Sequence, residues 1–212
     1  MKRAKMLDKM IASGVIAVVR SETEEKAIKI VEALVNGGIT GIELTYSVPM
    51  ANDVIERLVT KYENTNVIIG AGTVLDVSSA RLAIIAGAQF IVSPSFNKEV
   101  AKLANLYQVP YVPGILTPTE AQNALEYGSE LIKLFPGDIA GKAMIKDLKG
   151  PFPYINIMPS GGVSAENISG WLSAGAAVVS AGSALIAPAE IDDYDSVTAN
   201  AKASVRAYKA AF

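Results

Sequence analysis

Lys133 is the single charged residue of a short apolar run, Leu-Ile-Lys-Leu-Phe. Alternate side chains of a strand point to opposite faces, so Ile132 and Leu134 share one face and Lys133 points to the other. Burial favours the neutral amine over the ammonium ion, and a neutral amine can attack a ketone to form a Schiff base. The structural alternatives are a Lys–Glu ion pair within the core, because buried charges are rarely left unpaired, and a side chain that snorkels so that its amine reaches water.

Two further charged residues belong to strand-like runs. Glu43 lies between Ile42 and Leu44, which predicts that it faces inward in the same way. An inward carboxylate beside an inward amine could move protons as a general acid and base, or could simply pair with Lys133. Arg20 follows the first run, where its guanidinium could hold a carboxylate with two parallel hydrogen bonds. An arginine at the end of a strand is more often part of a surface ion pair.

The sequence contains neither histidine nor cysteine among its 212 residues. This composition excludes a Ser-His-Asp triad, imidazole or thiolate metal ligands, a thiol nucleophile and disulfides. Lysines and arginines number 19 and acidic residues 21, a net charge of −2 that argues against a nucleic-acid partner. We see no signal peptide and no apolar run of the roughly 18 residues that a membrane span needs. We therefore expect a cytoplasmic protein without a membrane partner.

Eight short apolar runs with the residue types of β-strands recur along the chain. Their first residues are 20 to 26 positions apart, which leaves room for one strand, one helix and two short loops. The runs are apolar on both faces, as in parallel strands that are covered on both sides. They are Val15–Val19, Gly41–Thr45, Val67–Ala71, Phe90–Ser93, Pro110–Pro113, Leu131–Phe135, Ile155–Pro159 and Ala177–Ala181.

Helical patterns fill the segments between these runs. Apolar residues at helical spacing predict helices over Glu24–Asn36 and Asn52–Tyr62, and two more at the ends over Ala4–Ala12 and Ser196–Ala211. Eight strand–helix units at this length predict a compact α/β fold, a (β/α)8 TIM barrel in one domain over residues 1–212. The alternative is an open doubly wound sheet, but no third glycine completes the dinucleotide-binding pattern after Gly70-Ala71-Gly72.

Two glycine-containing loops follow the seventh and eighth runs. The first contains Ser160, Gly161 and Gly162, with a helix predicted to begin near residues 164–166, and the second contains Gly182 and Ser183. Glycines let backbone N–H groups approach a ligand closely, and a following helix adds positive charge at its N-terminus. TIM barrels recurrently bind phosphate at these two loops. We predict a phosphate site there, with a tight turn as the alternative for either loop.

The sequence resembles the bacterial aldolases that act on 2-keto-3-deoxy-6-phosphogluconate (KDPG) and 4-hydroxy-2-oxoglutarate (KHG). The resemblance spans nearly the whole chain and rests on AVVR, GGITGIELT, IIGAGTV, GAQFIVSP, LIKLFPG, KGPFP, PSGGV and GSAL. It implies a (β/α)8 barrel, a Schiff-base lysine that requires neither a metal nor a cofactor, and a homotrimer.

The resemblance also implies roles for individual residues. Lys133 would form the Schiff base, and Glu43 would be the general acid and base. The pyruvyl end of the substrate would contact Arg20, Thr73, Pro94 and Phe135, and the phosphate would contact Ser160, Gly161, Gly162, Gly182 and Ser183. The chain departs from the family at Ser160, where threonine is common, at Ser47, where some members carry arginine, and at Ser95-Phe96.

The implied reaction is the reversible cleavage of KDPG, a phosphorylated keto acid, to pyruvate and glyceraldehyde 3-phosphate. KHG would be cleaved to pyruvate and glyoxylate. The alternatives are an aldolase for 2-keto-3-deoxy-6-phosphogalactonate and a non-catalytic barrel that binds sugar phosphates. A phosphosugar isomerase or epimerase is a third alternative, but that class usually relies on histidine, a metal or paired carboxylates, and the predicted strands contain one carboxylate.

Overall fold

A computed structural model of the protein describes residues 1–211, and Phe212 lies outside the described residues. The strands are β1 (Val15–Val19), β2 (Gly41–Thr45), β3 (Ile68–Gly72), β4 (Ile91–Val92), β5 (Tyr111–Val112), β6 (Gly114–Ile115), β7 (Ile132–Leu134), β8 (Ile157–Pro159) and β9 (Val179–Ala181). The helices are α1 (Lys2–Ala12), α2 (Glu24–Asn36), α3 (Ala51–Lys61), α4 (Val77–Ile85), α5 (Lys98–Tyr107), α6 (Pro118–Glu126), α7 (Gly137–Ala140), α8 (Ala143–Lys149), α9 (Ile168–Ser173), α10 (Ser183–Ile186), a 3-10 helix (Ala187–Ile191) and α11 (Tyr194–Lys209). Within residues 1–211, no helix is both long enough and apolar enough to cross a bilayer.

The strands form a parallel sheet that curls round. One group pairs in the order β5-β4-β3-β2-β1-β9 and a second in the order β6-β7-β8. An isolated bridge between Ser160 and Ser180 links the end of β8 to β9. Along the chain only Pro113 separates β5 from β6. The order of the strands follows the order of the chain, as expected of successive strand–helix units.

The buried side chains of the strands separate into two clusters. The outer cluster packs the strands against the helices and includes Ile42, Leu44, Ile132 and Leu134. This arrangement confirms the faces that the alternation predicts around Glu43 and Lys133. The inner cluster contains Leu7 and Met10 of α1 together with Ile16, Ile68, Phe90, Val92, Val112, Leu131, Met158 and Val178. Four of the strand residues, Ile68, Phe90, Leu131 and Val178, lie at or just before the first residue of a strand, and the others lie one residue further on. Helix α1 therefore packs across the amino-terminal ends of the strands.

The predicted elements agree with the structure most closely at the start of the chain. β1, β2 and α2 have the predicted bounds. The fifth run is two short strands rather than one, because β5 pairs with β4 whereas β6 pairs with β7, and Pro113 between them has no N–H for a ladder.

The prediction that a helix begins near residues 164–166 is wrong, because α9 begins only at Ile168. A turn precedes it, in which the Asn167 side chain accepts from the Ser164 N–H and donates to the Gly162 carbonyl. These bonds satisfy the Ser164 N–H and the Gly162 carbonyl without a turn of helix.

Side chains cap several helices at their amino-terminal ends. Asp76 caps α4 and accepts from both the N–H and the hydroxyl of Ser79. These hydrogen bonds hold the pKa of the Asp76 carboxyl below its usual value. Thr117 and Glu120 form a reciprocal capping box at α6, which fixes where that helix begins.

Candidate active site

Lys133 and Glu43 face each other inside the curled sheet. Their side chains are 7% and 1% exposed, and Lys133 Nζ lies 3.6 Å from Glu43 Oε1. Nζ also lies 5.1 Å from the centre of the Phe135 ring. Glu43 Oε2 is buried and has no hydrogen-bond partner among residues 1–211. A buried polar atom of this kind requires an explanation, and exchange of a proton with a bound molecule is one that fits its place beside an amine.

Glu43 fits inside the sheet because the neighbouring strand, β3, leaves room for it. A Cβ atom on Gly72 would overlap the Glu43 carboxylate, and one on Gly70 would overlap the Phe90 ring. Residues two apart in a strand point to the same face, so both glycines clear the inner face of β3. Neither glycine has a role among the site residues predicted from the sequence. The sequence does contain a signal for this role. A strand next to a buried glutamate has two glycines two residues apart, which indicates that its inner face leaves space for another side chain.

Backbone contacts hold Lys133 at this depth. Its N–H donates to the Pro113 carbonyl at 2.8 Å, and it lies opposite Gly114 in the β6–β7 register. The carbonyl of Pro94 occupies the place where a Gly114 Cβ would be. Phe135, which is half-buried, thus lies beside the lysine, and the half-buried Pro94 packs against Gly114, the residue opposite the lysine.

Arg20 directly follows β1 and lies at the rim of the sheet, the edge formed by the carboxyl ends of the strands. Two hydroxyl groups hold its guanidinium there. Nη1 donates to Ser47 Oγ at 3.2 Å, and Nη2 donates to Thr73 Oγ1 at 3.5 Å. Ser47 and Thr73 follow β2 and β3, the two strands next to β1 on that side. Among residues 1–211, no carboxylate forms a salt bridge with Arg20. The surface ion pair that was the alternative for this arginine is therefore not found in the described residues.

The first glycine loop packs against the segment that follows β7. Gly137 N–H donates to the Ser160 carbonyl at 2.7 Å, and the buried Ser160 hydroxyl donates to Ser180 Oγ at 3.3 Å. Gly161 and Gly162 have φ angles of +100° and +68°. Only glycine adopts these angles readily, so the path of this loop already requires both glycines before any ligand is considered.

The second glycine loop shares a cavity of about 690 Å³ with Arg20. Gly182, Ser183 and Ser47 line it, and it extends between α2 and the 3-10 helix. Gly161 and Gly162 do not line this cavity, and neither do Lys133 and Glu43. The structure therefore brings Arg20 together with one glycine loop and keeps the lysine–glutamate pair beneath the rim.

The chain matches a known family of enzymes. A family model described as KDPG and KHG aldolase matches residues 6–200. The chain belongs to the KDPG and KHG aldolase family. The 2-dehydro-3-deoxy-phosphogluconate aldolase of Treponema pallidum is 37% identical over 189 residues, which cover 87% of this chain and 89% of that protein. The 2-dehydro-3-deoxy-6-phosphogalactonate aldolase of Escherichia coli is 34% identical over 197 residues, with coverages of 92% and 95%.

A solved structure adds chemistry to this family relationship. The KDPG aldolase of Legionella pneumophila, 29% identical, matches this chain with a TM-score of 0.86 over 96% of this chain and 98% of that one. That crystal holds pyruvate captured at low pH as a covalent carbinolamine. Membership of the KDPG and KHG aldolase family confirms the resemblance read from the sequence and makes this protein an aldehyde-lyase.

Proposed function

We propose that this aldolase reversibly cleaves KDPG to pyruvate and glyceraldehyde 3-phosphate through a Schiff base on Lys133, and that it also cleaves KHG to pyruvate and glyoxylate. The observation that carries the proposal is the buried pair in which Lys133 Nζ lies 3.6 Å from Glu43 Oε1. Family membership supports it, as does the pyruvate carbinolamine of the Legionella relative, the intermediate that an amine and a keto acid form.

The reaction begins when Lys133 passes a proton to Glu43 and, as a neutral amine, attacks the C2 carbonyl carbon of the substrate. Glu43 protonates the carbonyl oxygen, and the resulting carbinolamine loses water to give a protonated imine. Glu43, through a water molecule, then removes the proton of the C4 hydroxyl. The C3–C4 bond breaks, its electron pair moves into the imine to form an enamine, and the aldehyde is released. Protonation of the enamine carbon and hydrolysis of the imine release pyruvate and restore the amine.

Different groups at the rim bind the two ends of the substrate, its carboxylate and its phosphate. Arg20 and Thr73 bind the carboxylate, and Pro94 and Phe135 flank the pyruvyl carbons next to Lys133. Phosphate binds at the glycine loops, through Ser160, Gly161, Gly162, Gly182 and Ser183. The shared cavity supports Gly182 and Ser183 most directly, because it runs from Arg20 to that loop. Holding both ends places C2 at the amine and lowers the entropy cost of the reaction.

The fold and assembly that accompany this function are a (β/α)8 barrel in a single domain over residues 1–212, and a homotrimer. The Ser160–Ser180 bridge and the continuity of β5 with β6 support closure of the barrel. An exposed apolar patch on and beside α4 supports contact between subunits; its members are Leu75, Val77, Leu82 and Ile85. Sedimentation should give the mass of three chains, and Ile85→Asp should lower it. The cytoplasmic location stays a prediction.

Borohydride trapping tests the Schiff base directly. Incubation with pyruvate and borohydride should give a mass-spectrometric adduct on the peptide that contains Lys133, and Lys133→Ala should abolish both adduct and turnover. A folded wild-type protein without the adduct would refute the Schiff-base mechanism. A non-catalytic binding barrel instead predicts sugar-phosphate binding that survives Lys133→Ala, with no turnover by the wild type.

A second substrate candidate is 2-keto-3-deoxy-6-phosphogalactonate. The E. coli relative named for that substrate is 34% identical, close to the 37% of the Treponema relative. Values of kcat/KM for this compound, KDPG and KHG, measured on one preparation, separate the candidates. We expect the highest value for KDPG, and a higher value for the galactonate compound would reverse the assignment.

A further inference from the structure

Three contacts connect the guanidinium of Arg20 back to the strand that carries it. Arg20 Nη1 donates to Ser47 Oγ at 3.2 Å. The Ser47 hydroxyl lies 2.7 Å from that of Thr45, and Thr45 Oγ1 donates to the Val19 carbonyl at 2.9 Å. Val19 is the last residue of β1 and immediately precedes Arg20. The chain of hydroxyls therefore begins at the end of the arginine side chain and finishes on the backbone beside its own Cα.

The number of hydroxyl protons fixes the direction of this chain. A hydroxyl group has one proton to donate. Thr45 uses its proton on the Val19 carbonyl, so Ser47 is the donor in the contact with Thr45. Ser47 then presents only lone pairs toward Arg20, and a guanidinium is a donor only. All three contacts are satisfied at once by this arrangement.

The hydrogen bonds to Ser47 and Thr73 leave part of the guanidinium free. An arginine has five N–H donors, and Ser47 and Thr73 each accept one. The other three remain for a ligand, and two parallel N–H groups match the two oxygens of a carboxylate. Thr45 is fully buried, whereas Arg20 and Ser47 are exposed. The buried threonine therefore gives the exposed serine, and through it the arginine, a rigid reference on the sheet.

We infer that Ser47 is a positioning residue that orients Arg20 for the carboxylate of the 2-oxo acid. This role rests on the proposed function, in which Arg20 binds that carboxylate. Without the Ser47 hydroxyl, Nη1 loses its acceptor and the exposed side chain gains rotamers. Binding would then have to order the arginine, which lowers affinity. The chemistry at Lys133 does not involve Ser47, so affinity should change and the rate at saturation should not.

Steady-state kinetics with KHG, which lacks a phosphate, test this role. Ser47→Ala should raise KM about tenfold, a change of about 1.4 kcal/mol, with kcat within about twofold of wild type. Half-maximal borohydride trapping should require about tenfold more pyruvate, with the same final extent. Ser47→Thr keeps the hydroxyl and should return KM to within about threefold of wild type. Equal melting temperatures for the three proteins exclude a general loss of structure.

A double variant separates the effect of Ser47 on the orientation of Arg20 from any other effect of Ser47 on KM. In Arg20→Ala, the further change Ser47→Ala should leave KM unaltered, because the residue acts only through the arginine. An undiminished tenfold effect in that background would overturn the inference, and so would a wild-type KM for Ser47→Ala in an enzyme that traps pyruvate. Absence of any adduct in the wild type would refute the proposed function itself, and the role of Ser47 with it.

Discussion

The buried floor of the site, Lys133 and Glu43, and its exposed rim, Arg20 with Ser47 and Thr73, hold their charges in opposite ways. The floor places two opposite charges 3.6 Å apart where almost no water reaches them. The rim holds one charge in water with neutral hydroxyl groups. Removing one member of a buried pair leaves the other without compensation, whereas a solvated arginine can be moved at small cost. Substitutions at the floor should therefore change kcat and stability, and substitutions at the rim should change KM.

The largest effect is expected at the floor, for Lys133→Met. Loss of the nucleophile should lower kcat by about 10⁴-fold or more, and the unpaired Glu43 carboxylate should lower the free energy of unfolding at pH 8 by about 3 kcal/mol. Denaturant titrations and turnover assays measure both. Adding Glu43→Gln removes the isolated charge and should recover part of the stability but none of the activity. Equal stability of the single and double variants would contradict the buried pair.

A smaller effect is expected from the two glycines of β3, which provide matched controls for each other. Gly72→Ala forces the Glu43 carboxylate aside, so kcat should fall about 100-fold, the scale of lost general acid–base catalysis. Gly70→Ala instead displaces the Phe90 ring in the inner cluster, and we expect a loss of stability of about 1–3 kcal/mol. Kinetics and thermal unfolding on both variants test the contrast. Wild-type kcat in Gly72→Ala would show that Glu43 does not depend on this space.

At the rim, Arg20→Ala should raise KM for KHG by about 30-fold, the scale of a hydrogen bond to a charged group. We expect kcat to change much less, and thermal stability to stay near wild type, because the side chain is exposed. Arg20→Lys keeps the charge but loses the planar fork, and it should give an intermediate KM. A large fall in kcat with unchanged KM would place Arg20 in the chemical step instead.

The smallest effect is expected outside both regions, at the helix cap Asp76. Its pKa is lowered by hydrogen bonds from Ser79, so the ionised form stabilises the fold above the ordinary pKa of aspartate. That contribution is lost as pH falls through the lower value in the folded state. Asp76→Ala should therefore cost about 1 kcal/mol at pH 7, and the difference from wild type should shrink below about pH 4. A pH-independent difference would show that the charge is not involved.

Sequence alone predicts the floor better than the rim, for a physical reason. Lys133 and Glu43 each lie between apolar residues, so the two-residue period of a strand determines the face to which they point. Once the sheet curls round, these two inward-pointing side chains on β2 and β7 meet across its interior. Ser47 lies past the end of β2, where no periodicity applies. Its contact with Arg20 depends on how two rim segments turn, which the identities of neighbouring residues do not determine.

In the fold, too, the features that follow from a periodic pattern are predictable from the sequence, and those that depend on single contacts are not. The long strands β1 and β2 are recognisable because five consecutive buried residues make a clear pattern. The change of partner at Pro113 and the turn before α9 depend on single contacts, such as the two bonds of the Asn167 side chain. The need for Gly72 depends on the approach of Glu43 from the next strand, so it becomes visible only once the register is known.

Helix α1 determines how molecules can move through the site. Leu7 and Met10 fill the amino-terminal end of the curled sheet, which leaves the rim side as the route for substrate, water and products. Under the proposed mechanism, the aldehyde must depart along this route while pyruvate is still attached to Lys133. Water must then follow the same route to hydrolyse the imine. The aldehyde therefore leaves before water enters. In the synthetic direction, the enzyme with pyruvate bound to Lys133 should be the form that binds the aldehyde.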